Sequence, residues 1–196
     1  MARTENTRRK AGLYLYTLVT PWEDLLLDGR IIVEGTVIVG SRSNLVGELV
    51  IPEGITEIGV KAFRGRIGLT KVTFPSSLVN IEDFAFYGCS GIRDLVFREG
   101  LYEIGYASFS RCTKIESVDF PQSLSIIGKD AFYGCSNLRK VKIPDTLSNI
   151  YDTSLYGCNI NSIIWRGVEY IYVDIFLTVF TNEDVTRPSK TSFFGR

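Results

Sequence analysis

The sequence predicts a strand-rich repeat solenoid of the α/β type, in which every 23 residues make one coil. Two observations carry this expectation. Cys89, Cys112, Cys135 and Cys158 stand 23 residues apart, and Pro52, Pro75, Pro121 and Pro144 share that lattice with Arg98 in the missing place. An isoleucine column (Ile58, Ile81, Ile104, Ile127, Ile150) and a leucine-type column (Ile55, Leu78, Leu101, Leu124, Leu147) keep the same register. The second observation is local. In Leu138-Arg-Lys-Val141-Lys-Ile143-Pro144 apolar and basic residues alternate, the period-2 pattern of a half-buried strand. Proline cannot donate a ladder hydrogen bond, so it closes the strand.

Within a unit, Leu124-Ser-Ile-Ile127-Gly128 returns as a short extended segment. Ala131-Phe132 then drives a small and a large residue inward, a pair repeated at Ala62-Phe63, Ala85-Phe86, Ser108-Phe109 and Ser154-Leu155. Gly134 permits the turn before Cys135. One such unit exposes half its apolar side chains, so units must stack, with parallel strands about 4.8 Å apart.

The elements follow in order. Residues 1–20 form an N-terminal arm, basic at Arg3, Arg8, Arg9 and Lys10 and aromatic at Tyr14 and Tyr16. Residues 21–48 form an N-terminal cap: a short helix from Pro21, then Ile31-Ile32-Val33 pairing with Thr36–Val39 as a hairpin. The solenoid spans 49–165. Residues 166–182 form a C-terminal cap, in which Arg166-Gly167 turns Ile163-Ile164-Trp165 onto Val168-Glu169-Tyr170. Beyond it the expectation is either a helix capped by Asp174 or one long edge strand from Val168 to Phe180. Residues 183–196 are a polar tail.

Composition narrows the function. The chain has 196 residues, 22 basic and 22 acidic, and no histidine. Zero net charge gives no support to a nucleic-acid partner. Without histidine there is no Ser-His-Asp or Cys-His nucleophile system and no histidine-ligated zinc, so no enzyme activity, catalytic residue, metal or cofactor is expected. The apolar stretch at 11–22 is too short for a membrane span. It carries tyrosines and lacks a small-x-small cleavage site, so a conventional secretory signal is not expected. The expectation is then a chain intracellular at synthesis, with a virion as one destination and the cell surface as the alternative.

The unit from Leu124 to Pro144 resembles the BspA-like leucine-rich repeat family, whose pattern is L-x-x-I-G-x-x-A-F-x-G-C-x-x-L-x-x-V-x-I-P. The resemblance covers about 49–165. It implies a solenoid used for binding or adhesion, with a protein or a cell-surface or host ligand as partner, and it names no single one. Three departures stand out: Arg66 for the cysteine, Arg98 for the proline and Arg111 for a turn glycine. The last unit is one residue short, as terminal units are.

Candidate sites are weighed against plainer roles. Zinc needs paired ligands two to four residues apart, so cysteines one coil apart read as a buried ladder of free thiols. Tyr87, Tyr133 and Tyr156 share a column just after the inward phenylalanine, with Tyr106 on the same flank. Exposed tyrosines make interface anchors, or they only cover the turns. Outward strand positions Lys71, Asp94, Asp119, Lys140 and Lys142 form a second candidate face, or pair with neighbours to support register. The basic arm with Tyr14 and Tyr16 is a candidate assembly segment, consistent with a homo-oligomer or a structural subunit of a larger particle.

Overall fold

A computed structural model describes residues 30–151 and 153–171. They form β1 (Ile31–Glu34), β2 (Val37–Ser41), β3 (Gly47–Val50), β4 (Glu57–Ile58), β5 (Leu69–Thr73), β6 (Asn80–Ile81) and β7 (Asp94–Val96). β8 (Glu103–Ile104), β9 (Ser117–Asp119), β10 (Ile126–Ile127), β11 (Lys140–Ile143), β12 (Asn149–Ile150), β13 (Ser162–Trp165) and β14 (Val168–Ile171) complete them. Among the described residues there is no helix, which corrects the α/β expectation. The segment between the short strand and the cysteine is only about seven residues and carries positive φ angles, which a helix does not accept.

The solenoid is walled by three sheets. The two-residue strands stack on β2 in the order β2-β4-β6-β8-β10-β12, all parallel, and β1 pairs antiparallel with β2 at one end. The longer strands form two sheets, β3-β5-β7 and β9-β11-β13-β14. Both expected hairpins are present. Arg166 (φ 50°) and Gly167 (φ 74°) both sit in the left-handed region between β13 and β14, as a type I′ turn requires. The expected helices near 21–27 and 174–180, the arm at 1–20 and the tail at 183–196 lie outside the described residues.

Equivalent residues pair with equivalent residues, so each sequence column becomes a physical column. Ile58 faces Ile81, Ile81 faces Ile104, and Ile104 faces Ile127, all buried. Phe63, Phe86, Phe109 and Phe132 stack at 4.9, 5.1 and 5.1 Å between ring centroids, with planes within 12°. A second phenylalanine column, Phe74, Phe97 and Phe120, meets the first edge-on, as Phe97 does with Phe109 at 6.0 Å. Offset-stacked and edge-to-face contacts both suit the ring quadrupole, so the two columns lock one another.

The cysteines have a structural task. Each thiol donates to the carbonyl of the phenylalanine in the preceding coil: Cys89 to Phe63 (2.9 Å), Cys112 to Phe86, Cys135 to Phe109 and Cys158 to Phe132 (3.2 Å each). All four are buried and unbridged. Burial pushes the Cys89 thiol up to about 12 and holds Cys112 and Cys135 well above the usual thiol range, so they stay protonated and inert at neutral pH. Arg66 replaces the first cysteine because the partner there is the hairpin. Its Nε donates to Ser41 Oγ (3.0 Å) and a terminal nitrogen to Ser41 O (2.5 Å).

Carboxylates staple alternate turns. Glu53 accepts from Ser76 N–H and Ser77 N–H (both 3.1 Å) and from Ser76 Oγ (3.0 Å), and the Ser76 amide in particular holds its carboxyl below the usual range. Glu99 repeats this two coils on, accepting from Gln122 N–H (3.0 Å) and Ser123 N–H (2.9 Å).

Candidate functional site

The turn leading to the cysteine has a fixed backbone. Lys61, Phe84, Ala107 and Asp130, one coil apart, all take φ between 49° and 61°. Four residues later a second left-handed position follows: Gly65, Gly88, Arg111, Gly134 and Gly157. Four coils place glycine there and one places arginine, at φ 61°. A left-handed L-residue costs roughly 1–2 kcal/mol, so Arg111 and Phe84 hold their places against a local preference.

These turns gather aromatic and cationic side chains on the outside of the coil. Phe84 packs edge-on against Tyr106 (5.0 Å) and against Tyr87 (5.8 Å). The Tyr87 ring lies between two guanidiniums, Arg64 at 5.2 Å and Arg111 at 5.8 Å, and Lys61 lies 5.8 Å from the Phe84 ring. Tyr133 and Tyr156 stack at 5.6 Å on the later coils. Tyr106 and Tyr133 are exposed, Tyr87 and Tyr156 half-buried. The column is therefore not continuous: Ser110 takes the place between Tyr87 and Tyr133, is buried, and donates to Tyr133 O at 3.2 Å. Two groups result, one around Tyr87 and Tyr106 and one at Tyr133 and Tyr156.

The second candidate face behaves differently. Lys71 pairs with Glu48 (3.6 Å), Lys142 with Asp119 (3.1 Å) and Lys140 with Glu169 (3.1 Å). Ser162 Oγ also donates to Glu169, and together these hold that carboxyl below its usual range. Four of the five charged candidates are thus engaged within the solenoid. Such exposed pairs are screened by solvent and contribute little to stability. Asp94 lies opposite Lys71 in the ladder but forms no ion pair among the described residues. The arm residues Arg3, Arg8, Arg9, Lys10, Tyr14 and Tyr16 lie outside the described residues.

On the short-strand side, Glu82 is partly buried. Desolvation first, then the charges of Glu57, Asp83 and Glu103, raise its carboxyl above the usual range. No group of three or more potential ligands is placed to hold a metal ion among the described residues. No helix among them is long and apolar enough to cross a membrane.

In the sequence, Arg98 and Arg111 stand out as departures from the repeat, with nothing there to place either at a site. Both prove to be features: Arg111 stands over Tyr87, and Arg98 lines an open cleft of ≈ 630 Å³ beside β7 and β9.

The sequence matches the BspA type leucine rich repeat region over residues 42–161 and 103–196, with six copies of the repeat. The chain belongs to this family. No curated protein matches it. Among solved structures, a leucine rich cell surface protein from Faecalibacterium prausnitzii A2-165 is similar at 28% identity and a TM-score of 0.64. That match covers 67% of this chain and 35% of the other, so the chain spans about a third of that protein's length. The T. pallidum leucine rich repeat protein is similar at 27% identity and a TM-score of 0.50, over 65% of this chain and 73% of that one. The pneumococcal vaccine antigen PcpA shares the fold at 19% identity and a TM-score of 0.51, over 69% and 44% of the two chains.

Proposed function

We propose that the chain is a non-catalytic recognition module of adhesion type, and that it binds a partner protein through the turn surface built by Phe84, Tyr87, Tyr106, Arg111, Tyr133 and Tyr156. The observation that carries this is Arg111. It occupies a left-handed position that the other coils give to glycine, and its guanidinium lies over the Tyr87 ring at the surface. Glycine would take that conformation without the left-handed penalty, so the use of arginine lies in what its side chain presents. Tyrosine and arginine supply large, stiff contact area with polar tips and dominate interface energetics. The stacked core beneath them fixes their spacing, so little ordering remains to be done on binding.

The F. prausnitzii neighbour is described as a cell surface protein, which supports a surface location for this chain over the intracellular expectation. The alternative, a homo-oligomeric or virion subunit held by terminal segments, rests on residues outside those described. The charged strand positions are assigned to register, because most of their charges are already paired.

A photo-crosslinking residue at Lys129, beside Tyr106 in the next coil, tests the proposal. With the chain on the cells that make it, Lys129→p-benzoylphenylalanine yields a discrete protein adduct, and the same replacement at exposed Ser148 does not. Adducts of equal yield from both positions, or from neither, contradict it.

A further inference from the structure

We infer that the cleft between β7 and β9 is a second binding site, and that it takes an acidic side chain next to a bulky apolar one on an extended segment of a partner protein. The cleft arises where the long-strand wall breaks. In neighbouring coils the residue after the strand donates its N–H to the next coil: Ile51 to Thr73 O (2.9 Å), Phe74 to Val96 O (3.0 Å), Phe120 to Lys142 O (3.2 Å). The equivalent bond from Phe97 to Asp119 is not made, and β7 and β9 belong to separate sheets. The opening has a volume of ≈ 630 Å³ and is floored by Leu95, Val96, Phe97, Phe120 and Pro121. Volumes of about 300–1,000 Å³ hold groups of this size.

Unused donors select the occupant. Asp119 is neutralised by Lys142 at 3.1 Å, and the Glu99 carboxylate is engaged by the Gln122 and Ser123 amides. Arg98 has no ion pair or hydrogen bond among the described residues, and neither does the Phe97 N–H. A planar guanidinium beside an amide N–H matches a carboxylate, and the apolar floor matches the side chain next to it. Proline at this place in four other coils closes the strand without any charge, so arginine here adds a donor set that the fold does not need. The cleft shares no residue with the turn surface proposed above, and each can fail alone.

The test uses the full chain and a fluorescein-labelled peptide, acetyl-Leu-Glu-Leu-Glu-Leu-amide, beside its Gln-for-Glu counterpart, followed by fluorescence anisotropy. The Glu peptide is expected to bind at least tenfold more tightly than the Gln peptide, with affinity falling as salt rises. Arg98→Pro and Arg98→Gln each remove that preference while Tm is unchanged or higher, and crosslinking from Lys129 is unaffected. The inference is overturned if neither peptide binds, if the two bind alike, or if Arg98→Gln keeps the preference.

Discussion

Replacing Phe109 by alanine destabilises the solenoid by about 3–5 kcal/mol, the cost of a buried aromatic truncation that cannot collapse. Phe109 is 0% exposed and sits at the crossing of both aromatic columns. It stacks on Phe86 and Phe132 at 5.1 Å each and meets Phe74 and Phe97 edge-on at 6.4 and 6.0 Å. Each neighbour is itself held by the next coil, so the cavity opens between two rigid rungs. Ile67, 69% exposed, is the control, and Ile67→Ala should change stability by no more than about 0.5 kcal/mol. Urea denaturation of both variants checks this. Equal shifts in midpoint would mean the columns do not carry the fold.

Gly91→Ala has the second largest expected effect, about 3 kcal/mol, at the upper end of overpacking costs. A Cβ there would lie 2.1 Å from Ile67 O and 2.5 Å from Leu69 O, both backbone atoms of the preceding coil. Neither can move without shifting the rung it belongs to. Gly88 separates space from conformation: its φ is +71°, but a Cβ there meets nothing within 4 Å. Gly88→Ala should therefore cost only the left-handed penalty, about 1–2 kcal/mol. Thermal or urea unfolding of the pair decides it, and a larger loss for Gly88→Ala would show that coil spacing is looser than described.

Much of this was legible because a solenoid repeats its environment. Cysteines one coil apart can only form a column, and strand alternation at 138–144 says which side chains enter the core. What alternation does not carry is the identity of the contact partner. The column Phe74, Phe97, Phe120 reads as ordinary inward strand positions, and only three-dimensional packing reveals that it interlocks with the other phenylalanines. The stapling by Glu53 and Glu99 has no signature in the chain, because their amide partners lie a full coil away. The break between β7 and β9 is a missing backbone pairing, not a change of spacing, and its one trace in the chain is Arg98. The tyrosine column was visible as a spacing. That it divides at Ser110 was not, since serine at the surface and serine in the wall look alike in one sequence.

The turn surface is claimed to serve recognition at some expense to the fold, and Arg111→Gly tests that claim most directly. Glycine restores the residue used at Gly65, Gly88, Gly134 and Gly157 and relieves the left-handed penalty. Unfolding in urea and crosslinking from Lys129 are measured on the same preparation. The account predicts a gain in stability of about 1 kcal/mol together with at least a tenfold loss of the adduct. A variant that is more stable and crosslinks as well as the parent, or one that loses stability, would contradict it.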